Sequence, residues 1–509
     1  MVNSIIDKHK DVIVNVFLFI FIAVFFTQIS PLFLSDGDDW YFSGSIRLPW
    51  PMWGVFNPSK VFPEILEPLG GYIAAFMVYP LTGDYVASIA HTQSIIISAF
   101  IFVFFWISYK YFKERFSLSS SFALCIEVLF FLSFFLIFKQ KNVNSYYGFW
   151  ATDLNCYFNY IIPGVFNASV MLLIAKSDNF WTNDCSCTKK LQLGFGWGFC
   201  IICIYLALFS NIQSSIILSG YCSIKLVEVF VRSLKENNKW YNNKEIWVYV
   251  VIDLLWLISL LFESSGRRAM GLTKNATSFF IMPVSETFAQ YRVLLSYVGK
   301  YYSTLFLVLG MISAFILLMD KNIRKKFLAP LTRFVLLFAI VILYLSLIHA
   351  KSGGSYGRRP DAMWPAVFLV VMISSIFFAI VFSKLASVEF CLIPMIFISF
   401  FVAFNLNGKF IQFGQDYDTA KKINDYIIEQ ILVADKTGLP KAEVKVPQGN
   451  AHTNWPYPFN MANWLQNALY SHNVISNRVR IKFVPDPALN KKFYKKNIEI
   501  VPFTDLEHD

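Results

Sequence analysis

The chain has 509 residues, of which 56% are hydrophobic and 15% charged, with a formal net charge of +11. Apolar stretches of about twenty residues recur along most of its length, which excludes a soluble globule and marks a polytopic membrane protein. Its basic residues are scattered among short loops, which excludes a nucleic-acid-binding surface and reads as topogenic charge.

The first apolar run, from Val12 to Leu34, carries no charged side chain. It is too long for a signal-peptide core and lacks a small-residue cleavage site, so it is expected to stay as an anchor. Directly after it comes Asp36-Gly37-Asp38-Asp39-Trp40. Carboxylates at the exit of a spanning helix are costly unless they face water or a reacting partner. Asp36, Asp38 and Asp39 are therefore candidates for a general base, or for ligands of a phosphate-bound divalent ion. The plainer reading is a solvated helix end, with Trp40 and Tyr41 as interfacial aromatics. Next, prolines bracket the segment Asn57 to Pro68. Lys60 suits a phosphate, and Glu64 suits a sugar hydroxyl; a solvated amphipathic helix is the alternative. Residues 70–83 are too short to span and are read as an interfacial or re-entrant piece.

Further spans are expected at 84–108, 118–138, 155–175, 193–209, 211–231, 246–262, 298–319, 328–349, 365–383 and 387–406, about eleven in all. Ser210-Asn211 makes one very short connection. Basic loops around Lys8, Lys110 to Arg115, Lys189, Arg232 to Lys244 and Lys321 to Lys326 fall on one side. That side, with the N-terminus, is expected to be cytoplasmic. The other side holds loops 35–83, 139–154, 263–297 and 350–364. In the second of these, Tyr147 and Asp153 sit in an aromatic run suited to stacking on a sugar, or to an interfacial belt. The third and fourth carry Arg267-Arg268 and Gly357-Arg358-Arg359. Paired arginines among small residues suit phosphate, since the guanidinium is a fixed fork and glycine admits close backbone approach. Lipid-headgroup anchoring is the alternative. Asn159, Tyr160 and Asn167 either line a polar cavity or bond neighbouring helices. His91 and His349 read as structural. Glu127 and Asp253 are the notable ionisable residues inside spans. The eight cysteines show no disulfide or zinc spacing. Residues 409–509 alternate helical and strand patterns: a helix from Tyr417, a strand at 442–446, a helix at 461–471 and a strand at 479–484. They read as a small α/β domain, beside a catalytic membrane domain of residues 1–408.

Acidic residues after the first span, many helices, basic residues on outer loops and an exported tail resemble the GT-C superfamily of integral-membrane glycosyltransferases. The Asp-Gly-Asp-Asp-Trp start and the Asn-Pro-Ser-Lys-Val-Phe-Pro-Glu stretch are similar to those of phage-encoded, serotype-converting O-antigen glucosyltransferases. The resemblance implies a mainly α, GT-C-like membrane protein of the bacterial inner membrane with a periplasmic C-terminal α/β domain. It implies inverting transfer of a sugar, glucose foremost, from a polyprenyl-phosphate donor in the bilayer to an O-antigen or similar glycan. Asp38 or Asp39 would be the catalytic carboxylate, with Asp36 beside them. Arg358 and Arg359 would hold the donor phosphate, helped by Arg267, Arg268 and Lys60. Trp40, Glu64, Tyr147 and Asp153 would contact the acceptor. No cofactor is implied; a divalent cation is compatible, but a monophosphate leaving group does not require one. A transporter or flippase of lipid-linked glycans, a non-catalytic scaffold and an O-antigen polymerase or ligase are the competing expectations.

Overall fold

Where water is absent, a backbone must satisfy its own hydrogen bonds, so long apolar runs become helices. The computed structural model describes residues 2–45, 58–178, 180–181, 195–237, 239–265, 282–384, 408–411, 416–447 and 461–494, and it is mainly helical. The membrane part comprises α1 (Val2–Val24, continued by a π-turn to Ile29), α2 (Gly37–Gly44), α3 (Val61–Ile73, continued to Thr82), α4 (Tyr85–Arg115) and α5 (Ser120–Leu136). Next come α6 (Leu154–Ala175), α7 (Phe195–Leu208), α8 (Ile212–Lys235) and α9 (Lys244–Ser265). It closes with α10 (Val284–Tyr297), α11 (Lys300–Met319), α12 (Lys321–Ser352) and α13 (Trp364–Lys384). Among the described residues, nine helices are long and apolar enough to cross a membrane, and α5 and part of α7 are shorter apolar helices. The expected span at 387–406 and the Arg267-Arg268 loop lie outside the described residues.

Side-chain caps set several of the helix starts. Asp84 accepts from the Ala87 amide ahead of α4 (3.0 Å), and Asp320 caps α12. Asn211 accepts from Gln213 and Ser214. That cap explains how the three residues 209–211 suffice between α7 and α8, since one side chain closes the first turn of the returning helix.

The 70–83 region, expected as an interfacial or re-entrant piece, is the second part of a longer helix. Its helix starts at Val61, passes through Pro68 and continues to Thr82. Both of its ends meet the same end of the bundle. Lys60 lies 3.7 Å from Glu263 at the close of α9, and Asp84 pairs with Lys421 of the tail (2.7 Å).

Aromatic rings fill the centre of the bundle. Phe104, Phe130, Phe134, Phe149 and Trp364 meet in edge-to-face, tilted and stacked pairs, at 4.5–6.4 Å between centroids. At the end away from α2, Asp178 accepts from Arg115 (2.6 Å) and Arg333 (2.7 Å) and pairs with Lys225 (3.4 Å). Arg333 also reaches Glu228 (2.8 Å), so one ionic network ties α4, α8 and α12 to the chain after α6. Burial alone would raise the Asp178 carboxyl, but Arg333, Arg115 and Lys225 hold it far below its ordinary value.

The tail contains α14 (Tyr417–Lys436), β1 (Lys441–Val446), α15 (Met461–Ser471), β2 (Arg480–Pro485) and α16 (Ala488–Phe493). The two strands pair in parallel, Lys441 opposite Arg480 through Val446 opposite Pro485, with α15 in the crossover between them. Val444, Val446, Ile481 and Phe483 turn inward. This unit is docked on the site end of the bundle. Asn424 donates to the Leu34 carbonyl (3.0 Å). α15 lies against α2 so closely that a Cβ at Gly37 would sit 2.7 Å from the Trp464 ring, and one at Gly44 would collide with Ala468.

Candidate functional site

The carboxyl cluster begins with the geometry of one short helix. Asp36 is the N-cap of α2 and accepts from the Asp38 amide (3.1 Å). Asp39 reaches back to the amides of Ser35 (2.6 Å) and Asp36 (3.0 Å) through one oxygen. Its other oxygen accepts from the Asn155 amide at the start of α6 (2.8 Å). Asp39 is fully buried, and it staples the exit of α1 to the entry of α6. Burial raises its pKa well above the carboxylate range; Asp153 and Asp36 push it further, and the Ser35 and Asn155 amides oppose them. Asp38, one residue earlier, is exposed in the first turn, where the helix dipole favours a negative charge.

Asp153 faces this group from the N-cap of α6. It accepts from the Cys156 amide (2.6 Å) and lies within 3.2 Å of the Cys156 thiol and Thr152 hydroxyl. Burial pushes it up to about 6, against the Cys156 hydrogen bonds; Asp36 adds to the rise, and Arg359 pulls it down.

Arg359 forms the cationic half. Its Nε and Nη2 make a bidentate pair with Asp361 (3.1 and 2.6 Å), and Nη2 also donates to Thr152 Oγ1 (3.0 Å) and Cys156 Sγ (3.1 Å). The guanidinium lies 5.3 Å from the ring centres of both Tyr160 and Tyr356. His349 stacks on Tyr356 and sits between Gln213 (3.3 Å) and the Tyr291 hydroxyl (3.4 Å). The fork is thus fixed in plane by rings and in register by Asp361. Among the described residues, none is bonded to Nη1, and this edge remains for an anion.

Beside this group, a cavity of about 690 Å3 runs between α10, α11, α12 and α13, lined by Phe288, Leu294, Tyr302, Phe306, Phe338 and Val370. The exposed Arg292 is one of its walls, and so is Met363, whose amide bonds the Arg359 carbonyl (3.1 Å).

Of the residues singled out in the sequence, Asp36, Asp38, Asp39, Asp153 and Arg359 come together here. Glu64 is buried in the first turn of α3. Arg358 is exposed next to Arg359. Lys60 stands apart, paired with Glu263 and held in a left-handed turn (φ 57°) by its amide bond to the Phe209 carbonyl. Trp40 is enclosed and stacked on Tyr85. Tyr147 is enclosed among Phe25, Phe135 and Phe410, with its hydroxyl on that of Tyr157 (2.7 Å). Sequence reading missed Glu67, Cys156 and Asp361. Asp361 had a signal, an acid two residues from an arginine. Cys156 had one too, as the third residue after a capping Asp. Glu67 had none, because its place depends on α3 meeting α2. Among the described residues, no three His, Cys, Asp or Glu side chains are placed to share a metal ion.

Comparison with protein-family models, curated proteins and solved structures finds no match to this chain.

Proposed function

We propose that this protein is a membrane glycosyltransferase that moves a sugar, glucose foremost, from a polyprenyl-phosphate donor to a glycan acceptor such as O-antigen. The observation that supports it most is the pairing of a carboxyl cluster with a ring-clamped guanidinium, next to an apolar cavity inside the bundle. A lipid-linked phosphosugar has the matching parts: a chain for the cavity, a phosphate for the Arg359 edge and a reacting carbon in front of the carboxyls.

In this reading the acceptor oxygen bonds to the anomeric carbon as the carbon–phosphate-oxygen bond breaks. The phosphate leaves with the electron pair, and Arg359, with Arg358 and Arg292 nearby, neutralises it. Asp38 takes the acceptor proton, being the exposed carboxylate of the cluster. Asp39 positions it, since both Asp39 oxygens already accept backbone amides.

The basic residues Lys110, Lys113, Arg115, Arg232 and Lys235 sit at the end opposite α2. In this reading the positive-inside rule supports a cytoplasmic position for that end and a periplasmic one for the site and tail, in a bacterial inner membrane. With both ends of α3 at the site end, this continuous helix lies along that face in this topology and does not add a crossing.

The test is transfer in proteoliposomes, with labelled polyprenyl-phosphate glucose as donor and O-antigen-bearing lipid as acceptor. Transfer by the parent, with at least a hundredfold loss in a folded Asp38→Asn variant, is expected. Full transfer by D38N would move the base elsewhere, and no transfer by a folded parent would overturn the reading. A flippase of lipid-linked glycans is the second reading, favoured by the ionic network that closes the opposite end of the bundle. Movement of the labelled lipid between leaflets without sugar transfer would establish it.

A further inference from the structure

We propose that Glu67 holds a proton within the carboxyl cluster, and that this proton lets Asp38 stay ionised as the base. Its part in transfer rests on the function proposed above; the protonation itself rests on geometry.

α2 and α3 touch where a Cβ at Gly71 would collide with the Ser43 carbonyl. One helical turn before each of these residues stand Glu67 and Asp39. Glu67 is only 1% exposed, and its Oε1 has no hydrogen-bond partner. Asp39, by contrast, has both oxygens occupied. The charges that act on Glu67 are Asp39 and Asp38 of α2 and Asp153 at the head of α6, all acidic. From α4, the facing group is the uncharged Gln93, whose amide donates to the Glu67 carbonyl (2.7 Å) and fixes that turn. A Cβ at Gly70 would strike Gln93, so the turn is held closely on both sides.

An ionised carboxyl in this position would have neither a cation nor a donor, which is the most costly way to bury a charge. Carboxyls that share a site resolve the conflict by keeping a proton. Among the buried carboxyls of this cluster, Glu67 is the one with a vacant oxygen. Neutral Glu67 removes one negative charge from the neighbourhood of Asp38. It also offers a hydrogen-bond donor to the cluster. Glu67 is therefore a positioning residue: it does not take the acceptor's proton. It keeps its own, and Asp38 is the member that accepts one.

This assignment predicts that Glu67→Gln, which mimics the protonated acid, works nearly as well as Glu. The first measurement is infrared spectroscopy of the full chain in dodecyl maltoside, which has no ester carbonyl to interfere. The parent at neutral pH is expected to show a protonated-carboxyl stretch with one component that disappears in E67Q, shifts in Glu67→Asp and persists in Asp38→Asn. An unchanged band in E67Q, or its loss in D38N alone, would overturn the proposal. If E67Q does not fold, the shift in E67D decides. The second measurement is transfer of labelled glucose against pH. E67Q is expected within about threefold of the parent at neutral pH, without the parent's decline on the alkaline side, which a purely structural role would leave in place. A hundredfold loss in folded E67Q would overturn the proposal by making Glu67 the base. A parent that transfers nothing would remove the glycosyltransferase reading, while the infrared band would still decide where the proton sits.

Discussion

Asp38 and Asp39 are neighbours in sequence, and their surroundings give them different work. Asp39 is buried and accepts three backbone amides. An amide at this position presents one oxygen where two are needed and turns its NH2 toward a donor. Asp39→Asn is therefore expected to lower stability by about 1–3 kcal/mol, seen as a lower midpoint of thermal unfolding in detergent. Asp38→Asn, on the exposed side of the same turn, is expected to leave that midpoint unchanged and to abolish transfer. Arg359 follows the logic of a buried pair. Asp361 is 1% exposed, so Arg359→Ala strands it and is expected to cost about 3–5 kcal/mol. The double variant R359A/D361A is expected to regain most of that stability without regaining transfer. Equal stability of the single and double variants would show that Asp361 does not depend on Arg359.

The decisive element contact is that of α15 on α2. Gly44 meets Ala468 with no room for a side chain, so Gly44→Ala is expected to destabilise this contact by about 1–3 kcal/mol. Faster hydrogen exchange confined to Met461–Ser471 would report it. His472, at the end of the same helix, joins three parts of the chain. The Ser43 carbonyl can only accept, so Nε2 carries the proton and donates to it (3.0 Å), and Nδ1 accepts from the Tyr85 hydroxyl (2.7 Å). Burial lowers its pKa to about 4, partly opposed by the Ser43 bond. The folded state therefore binds fewer protons than the unfolded state between about pH 4 and 6.5. Docking is at full strength above about pH 6.5 and weakens as the pH falls toward 4, by on the order of 3 kcal/mol in the limit. Exchange in α15 is expected to accelerate over that window in the parent and to be flat in His472→Gln.

For the whole molecule, the topology gives a direct test. In sealed spheroplasts, an impermeant amine reagent is expected to label Lys436 and Lys445 of the tail, and to label Lys235 and Lys325 only after lysis; the reverse pattern would invert the orientation. Much of this architecture was legible in the sequence, because each long apolar run needs only its own residues to become a helix. The Asp36 to Asp39 cluster was legible for the same reason, being local. The continuity of α3 was not, because its prolines and paired glycines divide it into two short pieces until α2 and α4 pack against them. Tyr147 misled as a sugar-stacking candidate: an aromatic run reads the same whether its rings face a ligand or, as here, one another. Glu67 and Asp361 gain meaning only from partners on other helices, and no spacing rule carries that information.

The docking of α15 also joins residues far apart in the chain. Leu34 and Ser43 emerge early from the ribosome, but their partners Asn424 and His472 lie 390 and 429 residues later. Until those residues are made, the short helix that carries Asp38 has its glycine face bare. The bundle can insert helix by helix during synthesis, whereas the carboxyl end of the site is finished last. A chain interrupted before Met461 would therefore hold its membrane helices with the glycine face of α2 uncovered.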